Sequence, residues 1–222
     1  MKRTLRLRRM VLVLVVSIGF GVLLYFHPNL QQPARQSQTV SAGDAARSLE
    51  QLMVKGRAPK TGYSRAQFGN GWNDIHGCDT RNIILHRDLK NTVVNEKCQV
   101  VSGLLDDPYT GKTLAFTRGA GSSDAIQIDH VVALSDAWQK GAQQLPAGER
   151  VELANDPLEL LAVDGTANQQ KGDGDAATWL PPHKAFRCQY VMRQIAVKKK
   201  YKLWVTPAEK EAIQRVIVAC EE

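Results

Sequence analysis

The sequence predicts an α+β fold, on three observations. Short apolar runs that suit strands occur at Lys112–Thr117, Ala125–Asp129 and Leu158–Val163. Helical signals dominate the C-terminal end. Strands and helices alternate too irregularly for a doubly wound sheet or a barrel. With 222 residues, 43% hydrophobic and 23% charged, the chain can bury a core and lies far from disordered compositions.

Residues 1–26 come first. Met10–Phe26, "MVLVLVVSIGFGVLLYF", is an apolar run behind Lys2, Arg3, Arg6, Arg8 and Arg9. This is a secretory signal or a signal-anchor, with a lean toward the uncleaved anchor. Its length sits at the lower limit of about 17 residues for a bilayer span, so length does not decide. The basic flank places that side in the cytoplasm and the rest of the chain outside. Residues 27–43, "HPNLQQPARQSQTVSAG", are polar and aperiodic and read as a linker. Residues 44–222 are then one exported working domain.

Within that domain, Asp44–Val54 predicts an amphipathic helix capped by Asp44. Gly62–Asn82 is loop-like, rich in Gly and Asn, with aromatic anchors at Tyr63, Phe68 and Trp72. Arg81–Lys90 suits a short helix. A Gly/Ser turn, Gly119–Ser123, separates the first two strands, and Glu149–Ala154 is helical. Lys184–Lys200 places Phe186, Tyr190, Val191, Ile195 and Val197 close to helical spacing. Thr206-Pro207-Ala208-Glu209 is a capping box with Pro at the first helical position, opening a helix that runs to Cys220. Trp138, Trp179 and Trp204 read as core anchors.

Charge excludes less than it first suggests. The net +7 comes from 29 basic and 22 acidic residues, but five of the basic ones precede residue 10. The remainder is close to neutral, so charge is weak evidence for nucleic acid and predicts a small footprint. Lys198, Lys199, Lys200 and Lys202 read as a solvated helix end. "GKT" at Gly111–Thr113 is no phosphate loop, because Asp106 stands where that motif needs Gly; "DPYTGK" is a turn.

Cys78, Cys98, Cys188 and Cys220 contain no C-x-x-C, which argues against a structural zinc site. An even count in an oxidising compartment points to two disulfides. Of the three pairings, the sequence-local one, Cys78–Cys98 with Cys188–Cys220, is expected. Each bridge would stabilise by roughly 3 kcal/mol.

The stretch "AIQIDHVVAL" sets Asp129 and His130 side by side at a strand end. Adjacent strand residues face opposite sides, so one of the pair should be buried or aimed at a partner. A buried ionised Asp is costly unless paired or bound to a cation. By itself the pair fits a chance surface dyad or a helix cap. Further on, Asn168 and Lys171 in "TANQQKGDGD" are three apart and share one face of a helix. Taken singly these are a turn residue and a solvated charge. An amide oxygen beside a carboxylate, however, suits a hard cation such as Mg²⁺.

The order strand, Asp-His, connecting segment, Asn155, strand, helix with Asn168 and Lys171 resembles the ββα-metal finger of HNH endonucleases, specifically their exported branch. "GCDTRNIILHRDL", "SGLLDDPYTGKTLAFTRG", "IQIDHVVALSDAWQKGA", "NDPLELLAVDGTANQQKGDGDAATWLPP" and "KAFRCQYVMRQIAVKKKYKLWVTPAE" are similar to stretches of that branch. The resemblance covers most of Trp72–Glu211. It implies a ββα-metal (HNH, or His-Me finger) core with flanking helices, and an exported nuclease that is secreted or anchored at the cell surface. Asp129 and Asn168 would be metal ligands and His130 the general base. Asn155 would tie the finger loop together by hydrogen bonds, and Lys171 would lie near the phosphate or metal. Asn in place of His at the last ligand position favours Mg²⁺, or Mn²⁺, over zinc. The insert between His130 and Asn155 is longer than the family's.

The substrate implied is nucleic acid, DNA ahead of RNA. Arg81 and Arg87 are candidate phosphate contacts, with pairing to Asp74, Asp79 or Asp88 as the structural alternative. Asp173 and Asp175 read as turn residues, and His76, His86 and His183 as surface or core residues. Membrane contact would arise only through an uncleaved N-terminal segment, and no protein partner is implied. Two other readings compete: a non-catalytic surface module binding nucleic acid or an envelope polymer, and a metal-assisted phosphodiesterase acting on a small molecule or lipid headgroup.

Overall fold

A computed structural model of the chain describes residues 41–119 and 124–220. The apolar segment 1–26, most of the linker 27–43 and most of the 119–123 turn lie outside the described residues. The first helix, α1 (Ala42–Glu50), begins at Ser41, whose hydroxyl accepts from the Asp44 amide at 3.1 Å. Ser41 is therefore the cap, and Asp44 sits in the first turn, where a carboxylate favours the positive end of the helix. The helix also stops earlier than its periodicity predicts, and Val54 instead bridges in parallel to Val205.

β1 (Asp74–Ile75) and β2 (Cys78–Asp79) form a small hairpin that leads into α2 (Thr80–Asp88). Asp79 caps that helix by accepting from the Asn82 amide at 2.7 Å. Three antiparallel strands follow in order: β3 (Lys90–Val94), β4 (Val100–Asp106) and β5 (Thr113–Thr117). Only β5 was legible in the sequence. β3 is largely exposed and so shows no alternation. β4 is interrupted by Gly103, where a Cβ would lie 3.0 Å from a Leu89 methyl and 3.2 Å from the Lys90 carbonyl.

β6 (Ile126–His130) and β7 (Leu160–Asp164) make a separate antiparallel pair, with Asp129 opposite Leu161 and His130 opposite Leu160. The chain between them carries α3 (Leu134–Gln139) and α4 (Ala147–Asn155). β7 runs directly into α5 (Gly165–Lys171), which Asp164 caps by accepting from the Ala167 amide at 2.7 Å. The pair is covered on both faces. Ile126, Ile128, Leu160 and Ala162 join a cluster with Ile84, Leu85 and Phe116, while Leu161 and Val163 join the larger cluster around Tyr109 and Tyr190. A strand buried on both sides has no reason to alternate, which is why "LELLAV" reads as one apolar run.

α6 (Arg187–Lys200) and α7 (Pro207–Val218) close the chain, and the capping box at Thr206 forms as expected. The cysteines pair Cys78–Cys98 and Cys188–Cys220, with Cα separations of 5.2 and 5.9 Å. The lysine cluster differs from its sequence reading. Lys198 is fully buried, its ammonium 3.0 Å from Glu209 and 3.5 Å from Asp136. Lys140 joins the same buried network at 2.7–2.8 Å from Asp136, Asp175 and Glu209, and Arg57 contacts Asp136 and Asp175 at 2.8 Å. Three cations and three carboxylates balance there, as burial requires. The network ties α3, the turn after α5, α6 and α7 together behind the β6–β7 pair.

Candidate functional site

Strand alternation sorts the residues of β6. Gln127 and Asp129 face α5, whereas Ile126, Ile128 and His130 face the side of α2 and Trp72. Both Asp129 and His130 are nonetheless buried, at 5% and 6% exposure. The strand end lets them border one cleft of about 420 Å³, whose lining includes Asp129, His130, Asn168, Ser135, Lys60 and Arg65.

Asp129 is held from two directions. Lys171, buried at the end of α5, donates to its Oδ1 at 2.8 Å and to the His130 carbonyl at 2.7 Å. The hydroxyl of Tyr109, fully buried, donates to its Oδ2. Tyr109 comes from the "DPYTGK" turn, which Asp107 closes by accepting from the Thr110 amide at 2.8 Å and pins to β7 by accepting from the Asp164 amide at 2.9 Å. Burial, and next the neighbouring Asp129 charge, pushes the Tyr109 phenol well above its ordinary range, so it remains a donor.

His130 is oriented by a helix end. The Ala154 carbonyl, in the last turn of α4, lacks an intrahelical donor. It lies 3.0 Å from His130 Nε2. A carbonyl can only accept, so Nε2 carries the proton and Nδ1 keeps a free lone pair. The ring stacks on Trp72 with centroids 5.8 Å apart and planes 8° from parallel. Burial, with smaller contributions from the Arg65 and Lys171 charges and against the Ala154 bond, lowers its pKa to about 3. The imidazole is neutral at physiological pH.

Asn168 donates from Nδ2 to Gln127 Oε1 at 2.9 Å, which fixes the amide and leaves Oδ1 as its acceptor at the cleft. Asn155 sits outside the cleft lining. Its Oδ1 accepts from the Asn73 amide at 2.8 Å and its Nδ2 donates to the Val151 carbonyl at 3.0 Å, tying the end of α4 to the loop that carries Trp72. The two arginines singled out in the sequence do not reach the cleft. Arg87 donates to Asp88 and to the Pro157 and Leu160 carbonyls, so it is a structural residue. Arg81 lies over the Phe116 ring at 6.0 Å. Asp173 pairs with Lys60 at 3.1 Å on the cleft rim, and Asp175 belongs to the buried charge network.

The donor set can be tested against a divalent cation. Among the described residues there is no group of three or more His, Cys, Asp or Glu that could hold a metal. An all-protein cage of the structural-zinc kind is therefore not what these residues build. Asp129 and Asn168 instead offer oxygen atoms, the carboxylate retaining lone pairs beyond those used by Lys171 and Tyr109. Two oxygen ligands beside an open cleft fit a cation that keeps several waters, as Mg²⁺ does.

Sequence reasoning missed Tyr109, Gln127, Trp72 and Arg65 as site residues. Gln127 could have been found, since it lies two residues before Asp129 and so shares its face of the strand. The others arrive from distant loops and carry no local signal.

The family model described as the C-terminal domain of GmrSD restriction endonucleases matches residues 79–216. A protein of Arthroderma benhamiae, described as an uncharacterized secreted protein, is 39% identical over 183 residues, spanning 81% of this chain and 86% of that one. No solved structure matches. The family-matched residues include Asp129, His130, Asn155, Asn168 and Lys171. Among the described residues no helix is long and apolar enough to cross a membrane.

Proposed function

We infer a catalytic role from one premise: the chain belongs to the GmrSD restriction endonuclease C-terminal domain family, a nuclease-related family. We propose that it is an exported, metal-dependent endonuclease of the HNH type, built on β6, β7 and α5 as a ββα-metal finger and hydrolysing nucleic-acid phosphodiesters. The observation that carries this reading is the convergence of Asp129, His130 and Asn168 on one cleft, with the His130 ring held in a single tautomer. The secreted relative and the two disulfides support export.

His130 is the general base. The Ala154 carbonyl keeps the proton on Nε2, so Nδ1 takes the proton of the attacking water, and stacking on Trp72 limits rotation of the ring. Base catalysis of this kind is worth roughly 10²–10⁴-fold. Asp129 and Asn168 would hold a divalent cation, Mg²⁺ or Mn²⁺, which when bound would supply Lewis acidity to the reaction. Lys171 and Tyr109 fix the Asp129 carboxylate, and Gln127 fixes the Asn168 amide. Asn155 acts at a distance, through the loop that carries Trp72.

The test is a metal titration of DNA cutting by the full chain, purified in mild detergent with its disulfides intact. Cutting should stop in EDTA, return with Mg²⁺, and need more Mg²⁺ in Asn168→Ala. Cutting that persists in EDTA, or an unchanged Mg²⁺ requirement in Asn168→Ala, contradicts the assignment.

A further inference from the structure

Two cavities meet at His130. The first is the cleft that holds Asp129 and Asn168, and the second, of about 150 Å³, is lined by Phe68, Gly69, Gly71, Trp72 and Ala154. Besides His130 and Leu134, the residue bordering both is Arg65. It opens the 3-10 turn Arg65–Phe68, upstream of the family-matched residues.

The charges around the cleft single it out. Lys60 is paired with Asp173 at 3.1 Å, and Lys171 is buried against Asp129 at 2.8 Å. Arg65 is exposed, and among the described residues it has no ion-pair or hydrogen-bond partner. A cleft that receives a phosphodiester must offset the anion's charge, and a free guanidinium presents paired donors that match phosphate oxygens. The turn that carries it is firmly placed. Phe68 is 2% exposed and packs edge-on against Tyr63 and Trp138, and Arg150 of α4 donates to the Gln67 carbonyl at 2.9 Å. α4 is also the helix that orients His130, so the base and the guanidinium share one frame.

We propose that Arg65 is the phosphate-binding residue of this site, its guanidinium taking a non-bridging oxygen of the phosphodiester beside His130. The assignment rests on the nuclease reading and extends it to a residue outside the finger. Because the side chain is exposed and unpaired, Arg65→Ala should leave the fold intact, checked by an unchanged Tm.

The experiment uses the full chain in detergent with a labelled DNA oligonucleotide and a series in which each phosphate in turn is an uncharged methylphosphonate. Binding is measured in a His130→Ala background, so that the DNA stays whole, and cutting is measured with His130 present. Arg65→Ala should slow cutting about tenfold or more, as expected for a lost bond to a charged group. Its salt dependence should fall by about one phosphate contact, a slope change of ~0.7 on single strands or ~0.9 on duplex. The methylphosphonate that weakens the parent at one position should have no effect there in Arg65→Ala, and Arg65→Lys should recover the salt slope. If the parent cuts but Arg65→Ala matches it in rate, slope and methylphosphonate profile, the Arg65 assignment is overturned alone. If the parent neither binds nor cuts, both readings fall.

Discussion

Lys171 Nζ lies 2.8 Å from Asp129 Oδ1 and 2.7 Å from the His130 carbonyl oxygen, so one buried ammonium holds both members of the pair at the end of β6. Its position follows from α5, whose three-residue spacing aims Asn168 and Lys171 at the same strand. Removing that ammonium strands a buried carboxylate. Lys171→Met should therefore lower stability by about 3–5 kcal/mol, read from the urea midpoint. A loss below about 1 kcal/mol would mean that the Lys171–Asp129 contact does not act as a buried ion pair.

Glu159 gives a pH test. Its carboxyl is completely buried against the Val132 amide at 3.2 Å, and burial pushes its pKa well above the ordinary value. A raised folded-state pKa favours the protonated form on folding. Its contribution is thus complete below the unfolded pKa of about 4.3 and is lost as pH rises toward the folded value. Glu159→Gln, which keeps an acceptor for Val132, should flatten that decline and gain stability over the parent at pH 8. Parallel stability curves for the two proteins between pH 4 and 8 would show that Glu159 binds no extra proton on folding.

The Cys188–Cys220 bridge spans 32 residues and joins the start of α6 to the residues just after α7. Replacing both cysteines with Ser should cost roughly 3 kcal/mol on the chain-entropy estimate, seen as a lower Tm. Because neither cysteine borders the cleft, the cutting rate below the new Tm should change little.

Asn155 joins α4 to the Trp72 loop. Asn155→Ala leaves the Asn73 amide without its acceptor, at about 1–3 kcal/mol. The Trp72 stack on His130 depends on that loop, so near-ultraviolet circular dichroism should report a changed Trp environment together with slower cutting. An unchanged spectrum with slower cutting would place Asn155 directly in the chemistry.

Much of this arrangement was legible in the sequence because it is local. Asp129 and His130 are adjacent, Asn168 and Lys171 share a helical turn, and each disulfide closes a short loop. What was not legible depends on distant segments converging. Lys198 reads as one of several solvated lysines until Asp136 and Glu209 are brought against it. Tyr109 reads as a turn residue until Asp107 pins that turn to β7 and sets the phenol beneath Asp129. Arg87 suits phosphate by residue type, but the carbonyls of Pro157 and Leu160, which Arg193 also reaches, claim it.

The most direct measurement is plasmid cleavage by the full chain with Mg²⁺, set beside His130→Ala checked for native Tm and circular dichroism. On the assignment of His130 as general base, the parent cuts and His130→Ala, still folded, is slower by about 10²-fold or more. A folded parent that cuts neither DNA nor RNA with any divalent cation, or a folded His130→Ala that cuts as fast as the parent, would contradict it.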